Sequence, residues 1–266
     1  MTNQNHYETI LFDIRDHVAH ITLNRPDAAN AANGQMGKDL LWAILQCDNN
    51  PAVRAVLLTG SGRFFCAGGD LKEFYEQEAL DAHIKEMLIY LHGGLSRMAQ
   101  MNAPVIAAVN GTAAGAGMSL ACACDLVYVA ESARFTMGYT ASGLSPDGSS
   151  TYYLPRLVGH KRALELMLTN RMLSAQEALD WGIATAIFPD DTLLDEVTAI
   201  ANKLATGPTA AFGETKRLLR LSANESLETQ MEHEGRAIAA RSMSQDGQEG
   251  ISAFVEKRKP QFTGWT

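Results

Sequence analysis

Two stretches of small residues, Cys66-Ala67-Gly68-Gly69-Asp70 and Ala114-Gly115-Ala116-Gly117, hold most of the chemistry legible in this chain. Each follows an apolar, strand-like run and opens a helix-like run. Their main-chain N–H groups are therefore little shielded by side chains and lie at the positive end of a helix. Two such turns converging on one point can hold a developing oxyanion, such as a thioester carbonyl turning into an enolate. Gly69 N–H and Ala116 N–H are the candidate donors. Taken singly, each turn has a plainer reading: a strand-to-helix connection for the first, close helix–strand packing for the second.

The acid–base candidates are few. Asp147 stands in Ser145-Pro146-Asp147-Gly148, where Pro-Asp-Gly is a strong turn signal. Its chemical reading is a carboxylate held in a pocket as acid or base, with Tyr152, Tyr153 and Leu154 as an apolar wall that raises its pKa. His92 sits in the helix-like run Leu88-Ile89-Tyr90-Leu91-His92, where a lone histidine is usually structural or exposed. Neither GxSxG nor HExxH occurs, so serine-hydrolase and zinc-protease chemistry has no support. Gly60-Ser61-Gly62 opens like a dinucleotide fingerprint, but Phe65 stands where the third glycine belongs. The basic run Phe254 to Pro260 suits a solvated helix end, or contact with a cofactor phosphate.

The elements that must position these groups follow an α/β rhythm. Glu8–Ile14 and His17–Leu23 read as strands joined by Arg15-Asp16, and residues 24–33 as a polar loop. Residues 34–47 carry apolar positions at helical spacing, and Val53–Thr59 is a buried strand. Residues 71–100 read as helix with breaks near Glu78 and Gly93-Gly94. Strands at 104–109 and 125–130 flank a helix at 115–124. Ser174-Ala175-Gln176-Glu177 has capping-box spacing and opens a helix ended by Trp181-Gly182; a strand follows at 183–188. Beyond Pro189 four helices are expected, at 192–205, 208–222, 225–242 and 246–257. This divides the chain into a core over 1–190 and a helical region over 191–266.

At 266 residues and 46% hydrophobic composition, the chain can fill a substantial core. Its net charge of −8 disfavours nucleic acid and anionic membrane surfaces as partners. The polar start Met1–His6 lacks an apolar signal core, and runs such as Pro104–Val109 are far short of a membrane span. The four cysteines, Cys47, Cys66, Cys122 and Cys124, include no C-x-x-C pair and suggest neither a zinc site nor a disulfide framework. A reduced, cytoplasmic protein without metal is the expectation.

Taken together, these segments resemble the crotonase superfamily, the enoyl-CoA hydratase/isomerase family, from about Ile10 to Phe262. The carriers are Ile21 to Pro26, Phe65 to Leu71, Pro104 to Gly111 followed by Ala114 to Gly117, Asp125, and Phe254 to Arg258. The resemblance implies a crotonase spiral of ββα units, a C-terminal helical trimerisation region, and a homotrimer or dimer of trimers. It implies an acyl-CoA thioester substrate, with no cofactor beyond its coenzyme A moiety. Gly69 and Ala116 match the oxyanion donors. Asp27, Ala28, Ala67, Gly68, Asp70 and Leu71 match the coenzyme A groove. Phe254 and Lys257 match residues that reach the adenine end, often from the adjacent subunit. Where hydratases of the family carry two glutamates, this chain has Ser119 and Tyr139, so hydration by that route is doubtful. Asp147 matches the catalytic acid of several isomerases, including the ring-epoxide and dienoyl-CoA types. Asp147 and His92 also match positions in 4-chlorobenzoyl-CoA dehalogenase, where the aspartate is the nucleophile; the tryptophan that supports it falls at Tyr139 here. The expected activity is isomerisation of an unsaturated acyl-CoA, with hydration, dehalogenation and acyl-CoA binding without turnover as alternatives.

Overall fold

Residues 7–264 are described by a computed structural model; Met1–His6, on which the reading of a polar start rests, and Trp265-Thr266 lie outside the described residues. Strand β1 (Ile10–Arg15) alternates in burial, whereas β2 (Val18–Leu23) is buried almost throughout, so β1 forms the edge and β2 lies inside. They pair antiparallel from Ile10 with Leu23 to Arg15 with Val18. The turn between them is Asp16-His17, one residue later than the sequence suggests. Both residues take positive φ (50° and 64°), the backbone that matches the twist of a tight hairpin.

Beyond the hairpin the chain repeats one unit: a long strand, a three-residue strand, then helix. The long strands β3 (Ala55–Gly60), β5 (Val105–Val109) and β7 (Leu126–Ala130) lie parallel in one sheet, joined by β10 (Ala186–Phe188) in the order β1-β2-β3-β5-β7-β10. The short strands β4 (Phe64–Cys66), β6 (Thr112–Ala114) and β8 (Arg134–Thr136), with β9 (Leu173–Ser174), build a second sheet in the order β4-β6-β8-β9. This is the expected spiral of ββα units. The second sheet is what the sequence does not disclose, because three residues are too few for a period to register.

Helix α1 (Gly34–Asn49) crosses from β2 to β3, and α2 (Leu71–Tyr75) with α3 (Leu80–Gln100) from β4 to β5. The break near Glu78 is present. The break at Gly93-Gly94 is not: α3 runs straight through, and the glycines seat it on α1. A Cβ at Gly94 would lie 3.6 Å from the Leu41 backbone. Short α4 (Ala116–Cys122) follows β6. Two helices that the residue pattern did not show, α5 (Ser150–Val158) and α6 (His160–Thr169), precede β9, and α7 (Ala175–Asp180) opens with the expected Ser174/Glu177 capping box.

Helix α8 (Leu193–Ala205) buries Leu193, Val197, Ala201 and Ala205 in the same core as Val56, Ile106 and Val129. The expected division at 190/191 therefore falls ahead of a helix that shares the core. Helices α9 (Thr209–Ser222), α10 (Leu227–Ser242) and α11 (Gln245–Val255) form the outer tail. Lys216 on α9 reaches in to Asp125 at 2.7 Å and to the carbonyls of Met98 and Ala103 at 2.9 and 3.2 Å. Among the described residues no helix is long and apolar enough to cross a membrane.

Candidate active site

The loop between β2 and α1 fixes the first glycine turn. Asn30 is fully buried, and its amide nitrogen donates to the carbonyls of Ser61 (2.9 Å) and Phe64 (2.8 Å) while its side-chain oxygen accepts from Arg25 N–H (2.8 Å). Ala29 and Asn30 both adopt the left-handed backbone, which folds the loop onto the turn. Three main-chain bonds result: Ala67 N–H to Ala29 (3.0 Å), Ala32 N–H to Gly68 (2.7 Å) and Asp70 N–H to Ala32 (2.9 Å). They engage the amides on both sides of Gly69, whose own N–H has no acceptor among the described residues.

Asp70 caps α2 through Glu73 N–H (3.2 Å) and binds Arg25 (2.8 Å). Burial works against its charge, but Arg25 and the α2 amides together outweigh it and hold the carboxyl below its usual range. Its side chain is thus engaged with the scaffold, and Asp70 is not among the residues that line the cavity.

The second turn lies against the first. Gly115 has φ 50° and ψ −121°, a backbone that excludes a side chain, and donates to Thr136 at 3.0 Å. A Cβ on Gly115 would sit 3.4 Å from Gly68 Cα, and one on Gly68 3.3 Å from the Ala114 oxygen. A Cβ on Gly117 would collide with the Cys66 carbonyl. The close-packing reading is therefore correct for Gly117, and that packing sets α4 so that Ala116, its first residue, presents an N–H without an acceptor among the described residues.

Gly69, Ala116 and Asp147 line one cavity of about 250 Å³, walled by Phe74, Met87, Leu91, Tyr139 and Leu144. Asp147 is the one carboxylate among its lining residues. The apolar wall expected from Tyr152, Tyr153 and Leu154 is elsewhere: the two tyrosines border a different cleft and Leu154 is in the core. Leu144 and Tyr139 share the cavity with Asp147 instead.

His92 Nε2 lies 3.8 Å from Asp147 Oδ2 and accepts from Gly148 N–H at 3.3 Å. The bond from Gly148 N–H ties the His92 ring to the turn that carries Asp147. Ser119 is buried beneath the cavity wall, 3.0 Å from the Tyr139 hydroxyl. Burial first, then the charge of Asp147, push the Tyr139 phenol well above its usual range, so it stays a neutral donor.

The remaining expected residues are split. Ala67, Gly68 and Leu71 border the same cavity, with Leu71 51% exposed. Ala28 and exposed Asp27 form a single 3-10 turn in the loop that grips Ala67. Phe254, 86% exposed, borders a separate cleft with Phe262, and Lys257 follows the end of α11. Within one chain they are not brought to the cavity. Asn30 and Arg25, which shape the first turn, are not singled out by sequence reasoning; Arg25 enters only within the Ile21 to Pro26 motif and Asn30 only as part of a polar loop.

The family model for enoyl-CoA hydratase/isomerase matches residues 13–265. The chain belongs to the enoyl-CoA hydratase/isomerase family. It is 39% identical over 259 residues to 1,2-epoxyphenylacetyl-CoA isomerase of Escherichia coli K12, covering 97% of this chain and 99% of that one. It is 36% identical over 241 residues to 4-chlorobenzoyl coenzyme A dehalogenase-1 of an Arthrobacter species, covering 90% and 87%. The crystal structure of an enoyl-CoA hydratase from Bacillus anthracis superposes with a TM-score of 0.91 at 34% identity, covering 97% of this chain and all (100%) of that one. As a member of the enoyl-CoA hydratase/isomerase family the chain is an acyl-CoA enzyme, and its relatives carry names from three reaction types.

Proposed function

We propose that this enzyme isomerises an unsaturated acyl-CoA by moving a proton through an enolate. The observation that carries the reading is one cavity holding two free main-chain N–H groups, Gly69 and Ala116, and a single carboxylate, Asp147. The amides bind the thioester oxygen. They supply the stabilisation that a weakly acidic α-proton requires; losing one such donor typically costs about 2.7–4 kcal/mol. Asp147 takes the proton at one carbon of the dienolate and returns it at another. A single carboxylate suffices for that shuttle, whereas addition of water also needs a group to place the water. The 39% identity to an isomerase over nearly the whole chain supports the same choice.

The scheme uses no group beyond the coenzyme A of the substrate. Ala67, Gly68 and Leu71 with the Asp27-Ala28 turn are assigned to the pantetheine side of the groove. Phe254 and Lys257 serve the adenine end from a second copy in a trimer or trimer pair, since in one chain Phe254 borders another cleft and neither residue lines the cavity. The protein works in the cytoplasm.

Purified protein is assayed with 3-enoyl-CoA, 2-enoyl-CoA and 4-halobenzoyl-CoA. Isomerisation of 3-enoyl-CoA that Asp147→Ala abolishes is the expected result. Hydration of 2-enoyl-CoA that survives Asp147→Ala makes the chain a hydratase. Binding without turnover of all three makes it an acyl-CoA carrier. A second reading, dehalogenation with Asp147 as nucleophile, draws on the 3.8 Å approach of His92 to Asp147 and on the Arthrobacter relative. A covalent aryl adduct on Asp147 would select it.

A further inference from the structure

The peptide between Gly115 and Ala116 has two ends with different partners. Its N–H has no acceptor among the described residues, and Ala116 lines the cavity. Its carbonyl oxygen accepts from the Ser119 amide at 3.0 Å and from the Ser119 hydroxyl at 3.1 Å. Ser119 Oγ is in turn 3.0 Å from the Tyr139 hydroxyl, and Tyr139 shares the cavity wall with Asp147. Ser119 is 1% exposed, so bulk water does not reach this contact.

We propose that Ser119 and Tyr139 are positioning residues that form a hydroxyl chain from Asp147 to the Gly115 carbonyl, strengthening the Ala116 N–H as an oxyanion donor while Asp147 holds the substrate's proton. The inference rests on Asp147 being the base of the isomerisation.

The Ser119 hydroxyl has one hydrogen and two acceptors, the Gly115 carbonyl at 3.1 Å and the Tyr139 oxygen at 3.0 Å. The Tyr139 hydroxyl has Ser119 on one side and interacts with the Asp147 carboxylate on the other. With Asp147 ionised, the carboxylate claims the phenol hydrogen, because charge-assisted bonds are the stronger ones. Ser119 then donates to Tyr139, and the Gly115 carbonyl keeps only the Ser119 amide. Once Asp147 has taken a proton from the substrate carbon, its O–H becomes a donor. Tyr139 accepts from it and donates to Ser119, and Ser119 donates to the Gly115 carbonyl. A carbonyl that accepts a further bond polarises its own peptide, and the N–H at the other end becomes a better donor. That happens while the thioester oxygen carries its negative charge. One proton moves, from substrate carbon to Asp147; the two hydroxyls only rotate, and they rotate back when Asp147 returns the proton. The phenol, kept neutral by burial and by the Asp147 charge, is suited to this and does not itself ionise.

Ser119→Ala and Tyr139→Phe each remove a single oxygen and are made alone, together, and with Asp147→Asn, whose amide mimics the protonated acid. Two readouts are taken. The first is kcat and KM for 3-enoyl-CoA. Each single variant is expected to lower kcat about three- to tenfold with KM nearly unchanged, and the double variant to be no worse than the poorer single. Additive losses, or none, overturn the chain. The second is the infrared carbonyl stretch of bound benzoyl-CoA labelled with carbon-13 at the thioester, which has no proton to move. Asp147→Asn is expected to lower that frequency relative to wild type, and Ser119→Ala or Tyr139→Phe to remove the increment. An increment that survives both is only the direct field of the lost charge and overturns the proposal, as does an equal frequency in wild type and Asp147→Asn. Should the wild type isomerise nothing, the reaction assignment fails while the infrared comparison still decides the chain.

Discussion

At the scale of single residues, the cavity separates two jobs. In the proposed reaction, main-chain amides at Gly69 and Ala116 would meet the thioester, and the side chain of Asp147 would move the proton. Asp147→Asn keeps the volume and loses the base. It is expected to reduce isomerisation about 10²–10⁴-fold with acyl-CoA affinity retained, as read from single-turnover rates beside a binding titration. Gly117→Ala tests the other job. Its Cβ would strike the Cys66 main-chain oxygen, which cannot swing aside as a flexible side chain can. A loss of about 1–3 kcal/mol in urea unfolding is expected, together with weaker turnover. The two glycine turns and Asp147 were legible because glycine and Pro-Asp-Gly mark turns strongly, and small residues at two strand-to-helix junctions leave their amides bare. Asn30 was not, because its role depends on positive φ at Ala29 and Asn30 and on carbonyls far along the chain, at Ser61 and Phe64. The wall around Asp147 was misread for a related reason: Tyr152 and Tyr153 are neighbours in sequence, but the turn sends them away.

At the scale of elements, the long strands and most helices follow from periodicity, and the second sheet does not. Strands β4, β6 and β8 are three residues each and exist because the spiral brings them side by side. The Gly93-Gly94 pair shows the opposite error, since glycines that suggest a break instead let α3 lie on α1. The capping box on α7 was legible and has a consequence in acid. The Ser174 amide, then Arg171 and the Ser174 hydroxyl, hold the Glu177 carboxyl down to about 2. The unfolded carboxyl titrates near about 4.3, so its contribution is present above that value and is lost as pH falls through the folded one. Glu177→Gln is expected to melt below wild type at pH 7, and the gap in Tm to close as pH falls from 5 towards 2. The Lys216 clamp offers a second test. Lys216→Met leaves Asp125 and two carbonyls without their cation. Urea unfolding is expected to show a loss of about 1–3 kcal/mol.

At the scale of the whole molecule, the tail is tied to the core at its far end. Arg54, at the entrance to β3, donates to Gly207 (2.6 Å) and Phe262 (3.1 Å), and Asp246 accepts from the amides of Thr263 (2.7 Å) and Gly264 (2.8 Å). Arg54→Ala is expected to speed proteolytic clipping after α11 before the core unfolds, as followed by mass spectrometry. Between those ties, Leu219, Leu227, Met231, Ile238 and Ile251 stand in solvent in the single chain. A trimer or trimer pair would cover them, and light scattering is expected to return three or six times the chain mass. One consequence reaches past this molecule. A donor that belongs to the peptide backbone survives any exchange of side chains around it, provided the tight seat of Gly117 on Cys66 is kept. Under the proposed function, recognition of the thioester would thereby be insulated from point mutation, while the choice of reaction would rest on a handful of exchangeable groups. Such a division lets descendants of one scaffold trade chemistries in few steps without first relearning how to hold their substrate.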